Sequence, residues 1–387
     1  MNEKDYLIRV MDSLKEAPQA PWNELLALQA HATPFMRHEY LLALESSGSA
    51  KPQTGWTPQV ISLWDSSQLQ AACVVYLKTH SYGEYVFDWS WANAYHQHGL
   101  NYYPKAVLAV PFTPVPGTRL MARSPAWRER LLEAVLAHCQ QLGLSSLHLL
   151  FGSEADIQSC EALGLMTRHT VQFHWSNQSY RDFDDFLAHL SQDKRKKIRQ
   201  ERRKVQEAGV SFRSARGKDI SEDDWGFFYR CYERTYLEHG NAPYLTPAFF
   251  EQQAQHQADS WLMFIAERQG QPVAASLIAL RDEPGTPVRT AYGRYWGALE
   301  RVDCLHFEAC YYQPLQWCIE HGFDSFEGGA QGEHKMARAL LPTDTRSAHW
   351  LAHPAFASAV QDFLHREGAG MHNYMQELQS HTPFKAL

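Results

Sequence analysis

Apolar residues recur at helical spacing in two long stretches of the chain, and a short apolar strand follows each. The first stretch opens at Ser124 and Pro125, a side-chain cap and a first-turn proline. It runs through Trp127, Leu131, Val135, Leu136 and Cys139 and stops at Gly143. The second is predicted to open at Asp303, running through Phe307, Cys310, Tyr311, Leu315, Cys318 and Ile319 to Gly322. "LSSLHLLF" follows the first and "FDSFEGGA" the second, and each copy closes on a His-Trp pair, His174-Trp175 and His349-Trp350. Upstream, "LQAACVVYL" from Leu69 and "PVAASLIAL" from Pro272 read as matching strands with an Ala-Ala pair in register. The chain is therefore an internal duplication, with about two dozen extra residues between strands and helix in the first copy. The extra segment includes the aromatic "DWSWANAYHQHGLNYYPK".

Each copy predicts leading helices, paired strands, a strand–helix–strand unit, then a short helix and a last strand. The leading helices fall near 22–28 and 36–46 in the first copy, and near 222–237 and 246–257 in the second. This alternation predicts an α/β (α+β) protein whose mixed sheets carry helices on both faces. The expected divisions are a first domain over 1–178, a basic helical linker over 179–209 and a second domain over 210–387. In the linker Asp182 is the expected cap, and Gly209 ends the helical part.

A chain of 387 residues has room for two domains, and its 44% hydrophobic and 13% aromatic content excludes global disorder. The formal charge of −7 argues against general coating of nucleic acid but leaves room for a local basic patch. Lys194, Arg195, Lys196, Lys197, Arg199, Arg202, Arg203 and Lys204 supply that patch, eight cations against the single acid Glu201. Arg195, Arg199 and Arg202 share a helix face, while Ile198 and Val205 are left to pack inward. The run is either a solvated face or a contact for a polyanion: tRNA, a lipid-linked pyrophosphate or another phosphorylated substrate.

The twenty histidines are scattered without metal-ligand spacing, and Cys304, His306 and Cys310 read as packing, so no metal is expected. Seven cysteines without a C-x-x-C pair suit reduced thiols in a cytosol. The first residues lack a signal-peptide core and no run is long enough for a membrane span. A cytoplasmic protein is the expectation, with its oligomeric state open.

The motifs "GEYVFDWSWANAY", "YYPK", "VPFTPVPG", "KRKKIRQERRKV", "GRYWG", "HFEACYYQ" and "EGGAQGEHK" span nearly the whole chain. Together they resemble the FemAB-like group of peptidoglycan biosynthesis/recognition proteins, a branch of the Fem transferases. The resemblance implies two tandem domains of the acetyltransferase (GNAT) fold and transfer of an acyl or aminoacyl group to an amine by direct attack. It implies a donor bound as substrate, acyl-CoA or aminoacyl-tRNA, with no permanently bound cofactor. The implied acceptor is a small-molecule or peptide amine. In the wider family a lysine follows a glycine-bearing strand end, and Lys335 after Gly328 and Gly329 is the matching position. CoA-dependent relatives hold the pyrophosphate on the amides of an Arg/Gln-x-x-Gly-x-Gly/Ala loop. Arg294 and Gly297 fit that pattern, but Leu299 takes its last position, and Glu300 and Asp303 bring negative charge. Fem enzymes are similar in lacking the loop and using aminoacyl-tRNA. A non-catalytic binding protein on the same fold is a third reading.

Comparing the copies locates the candidate site in the second. Leu149, Leu150 and Phe151 are replaced there by Gly328, Gly329 and Ala330, which opens a strand end to a ligand or merely permits a bulge. Gln331 and Gly332 continue the opening. Glu333 matches Glu154, but His334 and Lys335 stand where the first copy has Ala155 and Asp156. Glu333 and His334 are candidate bases, with Glu308 an alternative; Lys335 and Arg338 are candidate cations for a phosphate or carboxylate. Arg294, Tyr295 and Trp296, at the end of the neighbouring strand, offer an arginine fork and an aromatic surface. Asp88, Trp89 and Tyr103 in the first copy suit a sugar or peptide acceptor, or a domain interface.

Overall fold

The computed structural model describes residues 6–283, 285–330 and 332–385. Its chain forms two compact units: residues up to 170 together with 344–373, and residues 171–343 together with 374–387. The sequence divisions at 178 and 209 do not coincide with these units. The last strand of the second copy counts with the first unit, and the latter half of the first copy's last strand counts with the second.

The first unit contains β1 (Tyr6–Met11), α1 (Gln19–Ala27), α2 (His38–Ser46), β2 (Trp56–Asp65), β3 (Gln68–Lys78), α3 (Trp89–Gln97), β4 (Lys105–Leu108), β5 (Met121–Ala122), α4 (Pro125–Gln141), β6 (Ser146–Gly152) and α5 (Glu154–Ala162). β7 (Met166–Ser176) then carries the chain into the second unit. There follow α6 (Phe183–His189), α7 (Gln192–Glu207), β8 (Val210–Arg216), α8 (Glu222–Glu238), α9 (Pro247–His256), β9 (Trp261–Arg268), β10 (Gln271–Arg281) and β11 (Thr290–Ala298). Next come α10 (Leu305–Phe307), a π-helical turn (Glu308–Tyr312), α11 (Gln313–Glu320), β12 (Ser325–Ala330) and a 3-10 turn (Glu333–Arg338). β13 (Leu341–Leu351) and α12 (Pro354–Ser380) complete the chain.

Two of the helix starts expected from sequence carry the expected cap. Ser124 accepts from the Trp127 amide, and Asp182 from the Asp185 amide at 2.7 Å. The second long helix differs from expectation at its start: Cys304, not Asp303, occupies the cap, in the left-handed region at φ +66. The π-helical turn then widens the helix by one residue, a feature that apolar spacing does not announce.

In the first unit the strand order is β1-β2-β3-β4-β6-β13, and in the second it is β7-β12-β11-β10-β9-β8. Each has one parallel pair among antiparallel neighbours: β4 with β6, and β11 with β12. Leu131, Leu132, Val135 and Cys139 of α4 fill the first core against β2, β3 and β6. Tyr311, Leu315, Cys318 and Ile319 fill the second, together with Phe183, Phe186 and Ile198 from α6 and α7. The basic segment expected as a linker is therefore packed into the second unit's core.

Candidate active site

β11 and β12 pair only from Thr290, Ala291 and Tyr292 to Ser325, Phe326 and Glu327, and their ladder ends there. On its other side β11 bulges: Leu277 faces Tyr295 and Ile278 faces Gly293, leaving Arg294 as the extra residue. The strand ends diverge around a cavity of about 120 Å³ lined by Arg294, Tyr295, Trp296, His306, Tyr311 and Gly328, among others. Four of the expected residues, Arg294, Tyr295, Trp296 and Gly328, thus meet at one place. In the first unit the corresponding gap beyond β4 and β6 is filled. Gly117 bridges to Gly152, and the buried Arg119 side chain donates to the Leu150 carbonyl at 3.0 Å.

Gly328 makes room for neighbours as well as for the cavity. A Cβ there would stand 2.6 Å from Leu340 and 3.3 Å from the stem of Lys335. Gly329 takes φ +78 and turns the chain out of the strand. The buried Lys335 ammonium donates to the carbonyls of Gly329 at 2.9 Å and Ala330 at 3.2 Å. Desolvation brings its pKa down to about 8.

The other expected residues divide between rim and scaffold. His334 is exposed, 3.3 Å from the Tyr311 hydroxyl; desolvation, then Arg338 and Lys335, lowers its pKa, so the ring is neutral at neutral pH. Glu333 is exposed and accepts from the Tyr374 hydroxyl. Glu308 is buried and held by Arg202 at 3.0 Å and by the Gln313 amide at 2.7 Å, leaving it little freedom to shuttle a proton. Arg338 is also buried, bound to Glu201 at 2.9 Å and lying 3.5 Å over the Phe307 ring. Tyr312 donates to the same Glu201 carboxylate. Gly332 has φ +111 and closes on the His334 ring. Gln331 lies outside the described residues.

Asp88, Trp89 and Tyr103 belong to the first unit. Asp88 is buried, ion-paired with Lys105 and hydrogen-bonded by Tyr102 at 2.6 Å. Burial works against its charge, but Lys105 more than offsets this and holds the carboxyl well below the usual range. Tyr103 bonds Ser81 at 2.8 Å, and Trp89 alone is exposed, edge-on to Tyr82. On α7, Lys197, Arg199 and Arg203 face solvent, while Lys194, Arg195 and Arg202 are half-buried.

One residue was given no role by sequence. Glu327 is the last residue of β12 paired with β11, and on the other side it pairs with His174 of β7. Alternation along the strand turns Phe326 and Gly328 to the cavity and Glu327 to the opposite face of the sheet. Its Oε2 has no hydrogen-bond partner among the described residues, and His174 Nε2 stands 3.8 Å away. Desolvation pushes the carboxyl up to about 8, only partly opposed by Arg294. Desolvation and the Lys335 charge bring His174 down to about 4, so its ring is neutral. One signal in the sequence pointed here: Glu327 and His148 are titratable residues at matching positions of two otherwise apolar strands.

The loop from β11 to α10 has no phosphate cradle. The Leu299 amide is taken by the Val273 carbonyl at 2.7 Å, and Glu300 faces Arg268 at 3.3 Å. Gly297 lies within β11, where a Cβ would stand 1.9 Å from the Cys231 carbonyl oxygen of α8. That glycine serves helix–strand packing.

The two units, each with one parallel strand pair, define a tandem GNAT-like protein. FemX aligns over 91% of this chain and 100% of its own, at TM-score 0.53 and 9% identity. L-PGS from Bacillus licheniformis aligns over 90% and 97%, at TM-score 0.53 and 11% identity. These likenesses are of fold. No curated protein sequence matches the chain. Residues 13–386 match the FemAB-like model, described as peptidoglycan biosynthesis/recognition, and the chain belongs to that family.

Proposed function

We propose that the second unit transfers an acyl or aminoacyl group to an amine, with the acyl carbonyl seated where β11 and β12 part. The observation that supports this most is the cavity at that divergence, with Arg294 at its bulged edge and Lys335 beside its end. Lys335 uses two of its three N–H groups on backbone carbonyls, and the third serves the anionic end of a donor or the developing oxyanion. The amine approaches from the face that carries Glu327. Its nitrogen bonds to the carbonyl carbon, its proton passes to Glu327, and the donor oxygen or sulfur leaves and takes a proton in turn. A carboxyl with a pKa near that of an amine in transit is suited to this exchange.

Aminoacyl-tRNA is the favoured donor. The loop after β11 has its Leu299 amide occupied and two acids, which disfavours the pyrophosphate of CoA, and α7 of the same unit presents exposed Lys197, Arg199 and Arg203. The implied acceptor, by family, is a peptidoglycan-type precursor amine.

The test supplies labelled aminoacyl-tRNA and acetyl-CoA in separate reactions, with hydroxylamine as a generic acceptor. Label should move to hydroxylamine from tRNA, and an Arg294→Ala/Lys335→Ala variant should lose the transfer. If neither donor is consumed faster by the parent protein than by that variant, the reading fails. Consumption of acetyl-CoA alone would replace the donor assignment.

A further inference from the structure

A second cavity in the second unit is separate from the strand divergence. It is a cleft of about 590 Å³ between the N-terminal half of α8 and α9, large enough for a small ligand or a peptide side chain. Trp225, Tyr229 and Phe250 line it, with Trp225 and Tyr229 each about 6 Å from Phe250 between ring centroids. Phe250 also packs edge-on against Tyr295 at 5.9 Å, and Tyr295 lines the strand-end cavity. One aromatic contact, Phe250 with Tyr295, therefore links the linings of the two spaces.

Charge decides what the cleft suits. Glu222 and Glu251 line it with exposed carboxylates, against one lysine, Lys218. Their acidic neighbour Asp224 is already taken by Arg213, whereas neither glutamate has an ion-pair partner among the described residues. Aromatic faces beside unpaired carboxylates recognise organic cations through the ring quadrupole and charge together. An anionic ligand would meet two carboxylates against one ammonium there.

We propose that this cleft binds the aliphatic ammonium group of a small amine or a lysine-like side chain, holding the acceptor on the sheet face that carries Glu327. Calling the ligand an acceptor rests on the transfer reading above; the binding itself does not. The alternation that turns Glu327 from the cavity also puts Tyr295, paired with Leu277, on the side of α8 and α9. The cleft and the carboxylate thus share a face.

The experiment titrates cadaverine into the full-length protein by calorimetry, with 1-pentanol and glutarate as neutral and anionic probes of similar length. Saturable binding of cadaverine is expected, with neither control binding comparably. In a Glu222→Gln/Glu251→Gln variant the affinity should fall about tenfold or more. Both positions are exposed on helices, and an unchanged melting curve checks that the fold is kept. Arg294→Ala should leave cadaverine binding intact, which separates failure here from failure of the transfer reading. Absence of saturable binding, equal affinity in the double variant, or tighter binding of glutarate overturns the proposal.

Discussion

Glu327 is where a single residue carries the most consequence. A folded-state pKa above the ordinary 4.5 means the carboxyl favours the folded state when protonated. That contribution is whole below 4.5 and is lost as pH rises through about 8. Glu327→Gln should therefore melt higher than the parent at about pH 8.5, the gap closing toward about pH 5, in paired thermal scans. The same variant should lose most transfer activity. Parent activity should rise with pH as Glu327 ionises and fall as Lys335, also near 8, loses its proton, giving a narrow bell. In Lys335→Met the falling limb should vanish along with affinity for an anionic donor. Chemistry at this scale was only half legible. The contrast of Gly328 with Leu149 pointed to the strand end beside which the cavity opens. The residue between Phe326 and Gly328 was passed over, because its role depends on which sheet face it meets.

Elements were more legible than the contacts between them. Capping residues and apolar stripes located the long helices and several caps, because those signals are local. The π-helical turn was not foreseen. Within it Glu308 is held by Arg202 and Gln313, and Tyr312 donates to Glu201; Arg202 and Glu201 are distant in sequence. Gly297 resembled part of a phosphate loop, yet it is the contact point of β11 with α8. Gly297→Ala should destabilise the protein by about 2 kcal/mol or more through overpacking, read as a lowered midpoint in denaturant titration. On α7, reversing Lys197, Arg199 and Arg203 to Glu should weaken tRNA binding by about tenfold or more at moderate salt. The log–log salt slope should flatten by about 2 to 3, as phosphate contacts are lost. Equal slopes for parent and variant would exclude this face as the polyanion contact.

For the whole molecule, the duplication was readable from sequence, but the assignment of strands to units was not. Matching motifs order the copies along the chain and carry no information on which sheet a terminal strand joins. β13 pairs with β6, whose residues Leu147, His148 and Leu149 are buried almost completely, and His349 of β13 bonds His148 at 2.8 Å. A fragment of residues 1–178 lacks that strand and leaves the β6 edge bare. It should aggregate or remain expanded in size-exclusion and circular dichroism measurements. Adding a peptide of residues 341–380 should partly restore compactness.

The same pairing sets a timetable during synthesis. Chains leave the ribosome N-terminus first, and ordinary tandem domains fold in that order. Here the first unit waits for residues 344–373, so its sheet stays open until the second unit's residues 171–343 have also been made. A stalled or truncated chain would present an incomplete sheet edge rather than one finished half. Translation speed and holding chaperones should thus affect the yield of this protein more than the stability of its finished form would suggest.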